Sequence, residues 1–233
     1  MPSHSSLSCG IAGETGLRAT PIVICVPAGS QIQTLSGRRI DPFAPDPGEI
    51  DLDDIAQALS NQCRFGGHCR VFYSVAQHSC LVADLVADEG HEAIDQLWAL
   101  LHDAPEAYLV DLPHPLKHRS GLGPVYRQAE ALLQAAICQR FELPDDPPAC
   151  LRRIDRVLLA TERQALAKAD WHWPELEGVE ALDLEIEPWP PARAAAEFRA
   201  RFAMLDRQRR AARLVQPEST VRTGTAFARS DER

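Results

Sequence analysis

The sequence predicts an all-α fold, a helical bundle with a small β-hairpin near its N-terminal end. Three observations predict it. From residue 50 onward, apolar residues recur at spacings of three and four, the period of a helix with one buried face. Short β-like runs occur only before residue 41. Capping and stopping residues stand where helices of ordinary length should begin and end.

The elements follow in order. Residues 1–20 are rich in Ser and Gly and patternless, and read as a disordered lead-in. Residues 22–26 and 31–35 are β-like, and Ser36-Gly37-Arg38-Arg39 before Ile40 reads as a hairpin turning at Ser-Gly. A Pro-stiffened linker fills 41–48. Asp51 or Asp53 can cap a first helix that ends near Gln62, with Leu52, Ile55, Ala56 and Leu59 inward. Ser74 caps a second, stopped by Gly90. A third covers about 92–104, with Pro105 at its break. Residues 112–123 read as a loop rich in Pro, Gly, His and Lys. Further helices are expected over 125–141, 148–168 and 192–213, with a loop holding Trp171, Trp173 and Trp189 packed on the bundle before the last. The domain reading is 21–210 as one unit, with 211–233 a disordered, Arg-rich tail.

Composition bounds the function. The chain has 233 residues, 45% of them apolar, and a formal charge of −9. That suffices for a real core, and it argues against a protein that coats nucleic acid through a broad basic face. No run approaches the roughly 20 apolar residues of a membrane span. Residues 19–29 resemble a signal h-region only faintly, since Glu14 precedes them and prolines interrupt them. Seven cysteines without a C-x-x-C pair read as free thiols in a reducing, cytoplasmic setting. Cys63, His68 and Cys69 lack a second pair at zinc-finger spacing.

Six of the eight histidines fall within residues 68–118. His102-Asp103 is the sharpest feature, because a His and a carboxylate suit a borderline divalent cation such as Zn, Mn, Co or Ni. Helix neighbours diverge by about 100°, so both can reach one ion only at a helix edge or end. His78 lies on the apolar face of its helix, one turn from Val75 and Val82. Asp155 shares a face with Leu151, Leu158, Leu159 and Glu162, and an inward carboxylate needs a cation or donors. Each has a plainer reading, His78 as a satisfied core histidine and Asp155 as the partner of an Arg or a helix end.

In this order, Gln77-His78-Ser79, Leu101-His102-Asp103-Ala104-Pro105-Glu106, Asp111-Leu112-Pro113 and Asp155 resemble the H…HD…D signature of the HD-domain phosphohydrolases. Ser36-Gly37-Arg38, Asp54-Ile55-Ala56, Cys63-Arg64-Phe65-Gly66-Gly67-His68, Tyr73-Ser74-Val75-Ala76 and Pro115-Leu116-Lys117 are similar to the branch that contains the bacterial 5′-deoxynucleotidase and phage dATP triphosphohydrolases. The resemblance covers about 30–205. It implies an HD-domain bundle holding one divalent metal ion (Mn, Co, Zn, Ni or Mg) through His78, His102, Asp103 and Asp155. It implies Glu106 as the carboxylate that handles the proton of the attacking water, and Asp111 as a second acid near the phosphate. Arg64 matches an arginine that meets phosphate, and Lys117 lies where a loop lysine could do the same; His68, following Gly66-Gly67, reads either as a residue of the site's rim or as a plain loop histidine. Phe65 stands where some relatives carry tryptophan beside the sugar or base, which leaves the nucleotide preference open. The implied activity is hydrolysis of the 5′-phosphate ester of (deoxy)nucleotides by attack of metal-activated water on the α-phosphorus. The substrate is a deoxynucleoside monophosphate, or alternatively a dNTP that would release triphosphate. A non-catalytic nucleotide sensor is the weaker alternative, and homodimers occur among the relatives.

Overall fold

A computed structural model describes residues 31–168 and 171–215. The expected strand at 22–26, the lead-in, the h-region-like stretch and the tail beyond 215 lie outside the described residues. The observed architecture is all-α with one small antiparallel hairpin. β1 (Ile32–Gln33) pairs with β2 (Arg39–Ile40), Ile32 opposite Ile40. The turn between them places Gly37 at φ +86°, a conformation that side-chain-bearing residues rarely adopt.

The hairpin is tied to α1 (Leu52–Asn61) by one acid. Asp54 accepts from the Ser36 backbone N–H at 2.8 Å and from its hydroxyl at 2.6 Å, so two short motifs eighteen residues apart form one joint. Burial pushes the Asp54 carboxyl up, but the Ser36 donors outweigh it and hold it below its ordinary value. Asp54→Asn should therefore lower stability at pH 7 by roughly 1.5–3 kcal/mol. A depressed folded value means that the contribution is present above the unfolded pKa and lost as pH falls through the folded one. Urea titrations should show the two proteins converging in acid.

Caps fall where the residues dictate. Asp51 accepts from the Asp53 N–H at the start of α1, and Ser74 Oγ accepts from the Gln77 N–H at the start of α2 (Val75–Asp88). Gly90, at φ +81°, turns the chain out of α2. α3 (Ala93–Leu100) stops short of the expected 104. Pro105 has no N–H to bond the Leu101 carbonyl, so the α-ladder gives way to tighter turns in which Ala104 bonds Leu101 and Glu106 bonds Asp103. One short helix, α4 (Glu106–Leu109), follows directly. The expected loop at 112–123 is partly helical: α5 (His114–Arg119) leads into α6 (Gly123–Phe141). A Cβ on Gly123 would run into the Lys117 carbonyl, so this corner accepts only glycine.

α7 (Leu151–Leu166) and α8 (Pro191–Val215) complete the bundle. α8 packs across α1, α2 and α3, while α7 lies against α2. Ala194, Ala195, Phe198 and Leu205 are the buried face of α8, and Phe198 is wholly enclosed. Phe198→Ala should cost about 3–5 kcal/mol, a large part of a typical domain stability of about 5–15 kcal/mol. Chemical denaturation would measure it. The last loop is pinned by buried Gln77, which donates to the Glu187 carbonyl at 2.7 Å and accepts from the Trp189 N–H at 2.8 Å. Trp189 thus packs as expected, whereas Trp171 is 73% exposed. Among the described residues, no helix is long and apolar enough to cross a membrane.

Candidate metal centre

Three segments meet where α2, the turn after α3 and α7 come together. α2 carries His78, fully buried. The tight turns after Leu100 present His102 and Asp103 beyond the helix, so the two neighbours are freed from a helix's angular spread. The ligand atoms of His78, His102 and Asp103 lie within 4.8 Å of one another. His102 Nε2 is 3.2 Å from Asp103 Oδ2, and His78 Nε2 is 3.5 Å from the same oxygen. α7 brings Asp155, whose Oδ1 is 3.2 Å from His78 Nε2. It stands beside the three-residue group.

Each histidine is oriented by the nitrogen that faces away from the group. His102 Nδ1 donates to the Ala99 carbonyl at 2.6 Å, and His78 Nδ1 donates to Glu162 Oε1 at 2.6 Å. Both Nε2 atoms are buried and without a hydrogen-bond partner. A carbonyl or carboxylate on Nδ1 leaves Nε2 as the available lone pair, the arrangement metal-ligating histidines adopt. Two such nitrogens beside a carboxylate form a group that could hold a divalent cation.

Charge agrees with that fit. Asp103, Asp155, Glu106, Asp111 and Glu162 surround the position. Burial and Arg64 press His78 toward neutrality, yet Glu162 and Asp155 outweigh them and the imidazole is pushed up to about 10. Without metal, a proton supplies part of the missing positive charge. A metal requires the neutral ring, so binding must expel that proton and apparent affinity should rise with pH across the neutral range. Calorimetry in buffers of different ionisation enthalpy should find one or more protons released per metal near pH 7.

Glu106 opens α4, 5% exposed, and its Oε2 has no partner. Burial first, then Asp103 and Asp111, push its carboxyl well above the ordinary range. Asp111 is raised too, by burial and by Asp103 against the pull of Arg64. Arg64 is buried, with NH1 3.6 Å from Asp103 Oδ2 and Nε 3.2 Å from Glu162 Oε2. Its backbone is fixed where Cys63 bridges Ser74 and Arg64 N bonds the Tyr73 carbonyl at 2.9 Å. Phe65 and Gly66 follow with left-handed φ of 58° and 59°. Such strain in a non-glycine residue is typical of functional turns.

Other expected residues stand apart. Lys117 is helical, not in a loop, and its ammonium is held by Glu130 Oε1 at 2.5 Å. The α5–α6 packing supplies that acid, which the local sequence does not announce. His68 is exposed. Phe65 packs near Trp173, with ring centroids 6.2 Å apart. Cys63 and Cys69 lie with sulfurs 3.4 Å apart, and the described cysteines are free.

No family model matches the chain. It is 39% identical over 185 residues to the uncharacterized protein YfdR of Escherichia coli, which covers 78% of this chain and 99% of that protein. The chain belongs to the YfdR family. A second relative, an uncharacterized protein of Rhodobacter capsulatus, is 37% identical over 185 residues, 73% of this chain and 93% of its own.

In this YfdR-family chain, residues beyond the expected set also build the site. Gln62 donates to the Glu106 carbonyl at 2.9 Å and accepts from the Asp111 N–H at 3.1 Å, clamping both ends of the short α4 segment. Glu162 receives His78, Tyr73 and Arg64 together. An acid on the apolar face of α7 was the visible signal for Glu162. Nothing in the local pattern marks Gln62, whose partners lie more than forty residues away.

Proposed function

We propose that the chain is a metal-dependent phosphohydrolase of HD-domain type acting on the 5′-phosphate ester of (deoxy)nucleotides, with deoxynucleoside monophosphates as the substrate class. The observation that carries the reading is the convergence of two orphaned histidine Nε2 atoms, Asp103 and an unpartnered, buried Glu106. His78, His102, Asp103 and Asp155 would hold the ion, with Zn, Mn, Co, Ni and Mg as candidates. A divalent cation there would lower the pKa of water and draw charge from phosphorus.

The protein's own groups supply the rest. With a cation offsetting Asp103 and Asp111, Glu106 would ionise, and its unpartnered oxygen would then be suited to take the proton of the attacking water. Asp111, clamped through Gln62, stands as the second acid. Arg64 directs NH1 to the cluster and can meet the equatorial phosphate oxygens as charge builds on them. Phe65 offers an aromatic face beside the sugar or base.

Substrate length is the second question. A triphosphate would bring more negative charge than a monophosphate, and the other cation of the expected substrate contacts, Lys117, is already neutralised by Glu130. That favours the monophosphate over the dNTP. A reducing, cytoplasmic setting and a homodimer complete the proposal, the first supported by the free thiols. Incubation with dAMP and dATP in Mn²⁺, Co²⁺, Zn²⁺ or Mg²⁺, followed by product identification, tests it. Deoxynucleoside plus phosphate is expected. Triphosphate would move the assignment to the alternative, and absence of turnover with every nucleotide and metal would overturn the enzyme reading in favour of a sensor.

A further inference from the structure

Glu162 has no role in the chemistry above, yet it is the most completely engaged acid near the centre. It is fully buried on α7. Its Oε1 accepts from His78 Nδ1 at 2.6 Å and from the Tyr73 hydroxyl at 2.7 Å, and its Oε2 accepts from Arg64 Nε at 3.2 Å. Seven residues separate it from Asp155, and at about 100° per residue the two side chains leave the same face of the helix. The His78 ring therefore lies between two carboxylates of one helix, Nε2 toward Asp155 and Nδ1 toward Glu162.

We infer that Glu162 is a positioning residue that sets His78 and Arg64 with a single carboxylate, so that the metal-binding and phosphate-binding halves of the site are built on one anchor. The inference rests on the proposed metal centre. Its physical basis is simple. A buried carboxylate is costly unless its lone pairs are filled, and here two of the three donors that fill them, on His78 and Arg64, are groups the site must hold still. With Nδ1–H committed to Glu162, His78 can offer only Nε2 to a metal. With Nε committed, the Arg64 fork has its NH groups left to face the cluster. Tyr73 occupies a further lone pair and fixes the carboxylate itself. Replacing the carboxylate by an amide would set an N–H against one of the donors, releasing either ring or guanidinium.

The test is a titration of the metal-free full-length chain with Zn²⁺ or Mn²⁺ alone, by calorimetry, on wild type, Glu162→Gln and Tyr73→Phe. Glu162→Gln should lose about 10–100-fold in metal affinity, the usual effect of losing an outer partner of a ligating histidine. Tyr73→Phe should lose only a few-fold, because the carboxylate keeps His78 and Arg64. Inorganic phosphate should also bind the metal-loaded Gln variant more weakly. A folded Glu162→Gln protein with wild-type metal affinity overturns the inference, and unchanged phosphate binding overturns its Arg64 half. A second readout needs no variant. Long-range ¹H–¹⁵N spectra of the wild type should show His78 keeping its Nδ1 proton and binding Zn²⁺ through Nε2, and the opposite tautomer overturns the inference even if Glu162→Gln does not fold. Wild type that binds no metal would instead strike the metal centre, while a metal-free spectrum recorded above about pH 10, where the ring is neutral, would still decide the tautomer set by Glu162.

Discussion

Glu106→Gln is expected to reduce kcat by about 10²–10⁴-fold, the range for removing a positioned proton acceptor, while metal affinity changes little. The amide keeps the shape of the side chain but cannot take a proton. The same substitution should stabilise the metal-free protein at neutral pH. Burial, Asp103 and Asp111 raise the Glu106 carboxyl well above its ordinary value, so between about pH 4.5 and that raised value the folded state binds more protons than the unfolded one. Wild-type stability therefore falls as pH rises through this interval, and the Gln variant escapes that loss. An unpartnered buried polar group is worth on the order of 1–3 kcal/mol. Urea titrations at several pH values should show the variant more stable at pH 7 and the difference closing below about pH 4.5. Loss of turnover together with gained apo stability is the signature of a strained catalytic group, whereas a Glu106 without a catalytic role would show the gain in stability and keep turnover.

Asp103→Ala should have the largest effect on metal binding. Asp103 Oδ2 is the point on which His102, His78 and Arg64 converge, at 3.2, 3.5 and 3.6 Å. Burial pushes this carboxyl up, but His102, His78 and Arg64 reverse the shift and keep it ionised. It is thus charged at any working pH, and as a ligand it would hold both imidazoles on one ion. Its removal should weaken metal binding by more than the roughly 100-fold attributed to an outer partner. Thermal shift offers a clean measurement. Metal at about 100 times its Kd stabilises a folded protein by about 2.7 kcal/mol, which is roughly 5–10 °C for a domain of this size. Wild type should show that rise and Asp103→Ala should show none at the same concentration. Equal shifts would remove Asp103 from the ligand set.

How much of this was legible beforehand depends on how far the deciding contact reaches. Ser74, Asp51 and Gly90 act on residues two or three positions away, so their helix ends could be read directly. The facing of His78 and Asp155 followed from the helical period alone. The His102-Asp103 pair, its need for a helix edge or end, and the break at Pro105 are legible in the sequence; the train of tight turns that ends α3 at Leu100, four residues early, is not. The helix at His114–Arg119 was masked by its prolines, although Pro115 lies in the first turn, where a missing N–H costs little. Lys117 seemed a free loop cation because its partner, Glu130, lies on the next helix.

By itself the sequence determined the all-α class, most helix positions, the inward facing of His78 and Asp155, and the residue types able to hold a cation. These depend on periodicity and on short-range capping, both of which act within a few residues. Tertiary structure alone decided which nitrogen each histidine offers, that Glu106 is left without a partner, that Lys117 is neutralised, and that Glu162 and Gln62 hold the site together. Those outcomes turn on hydrogen bonds and charges between segments as much as 98 residues apart, where burial makes an unfilled donor or acceptor costly and the packing of helices chooses which ones meet.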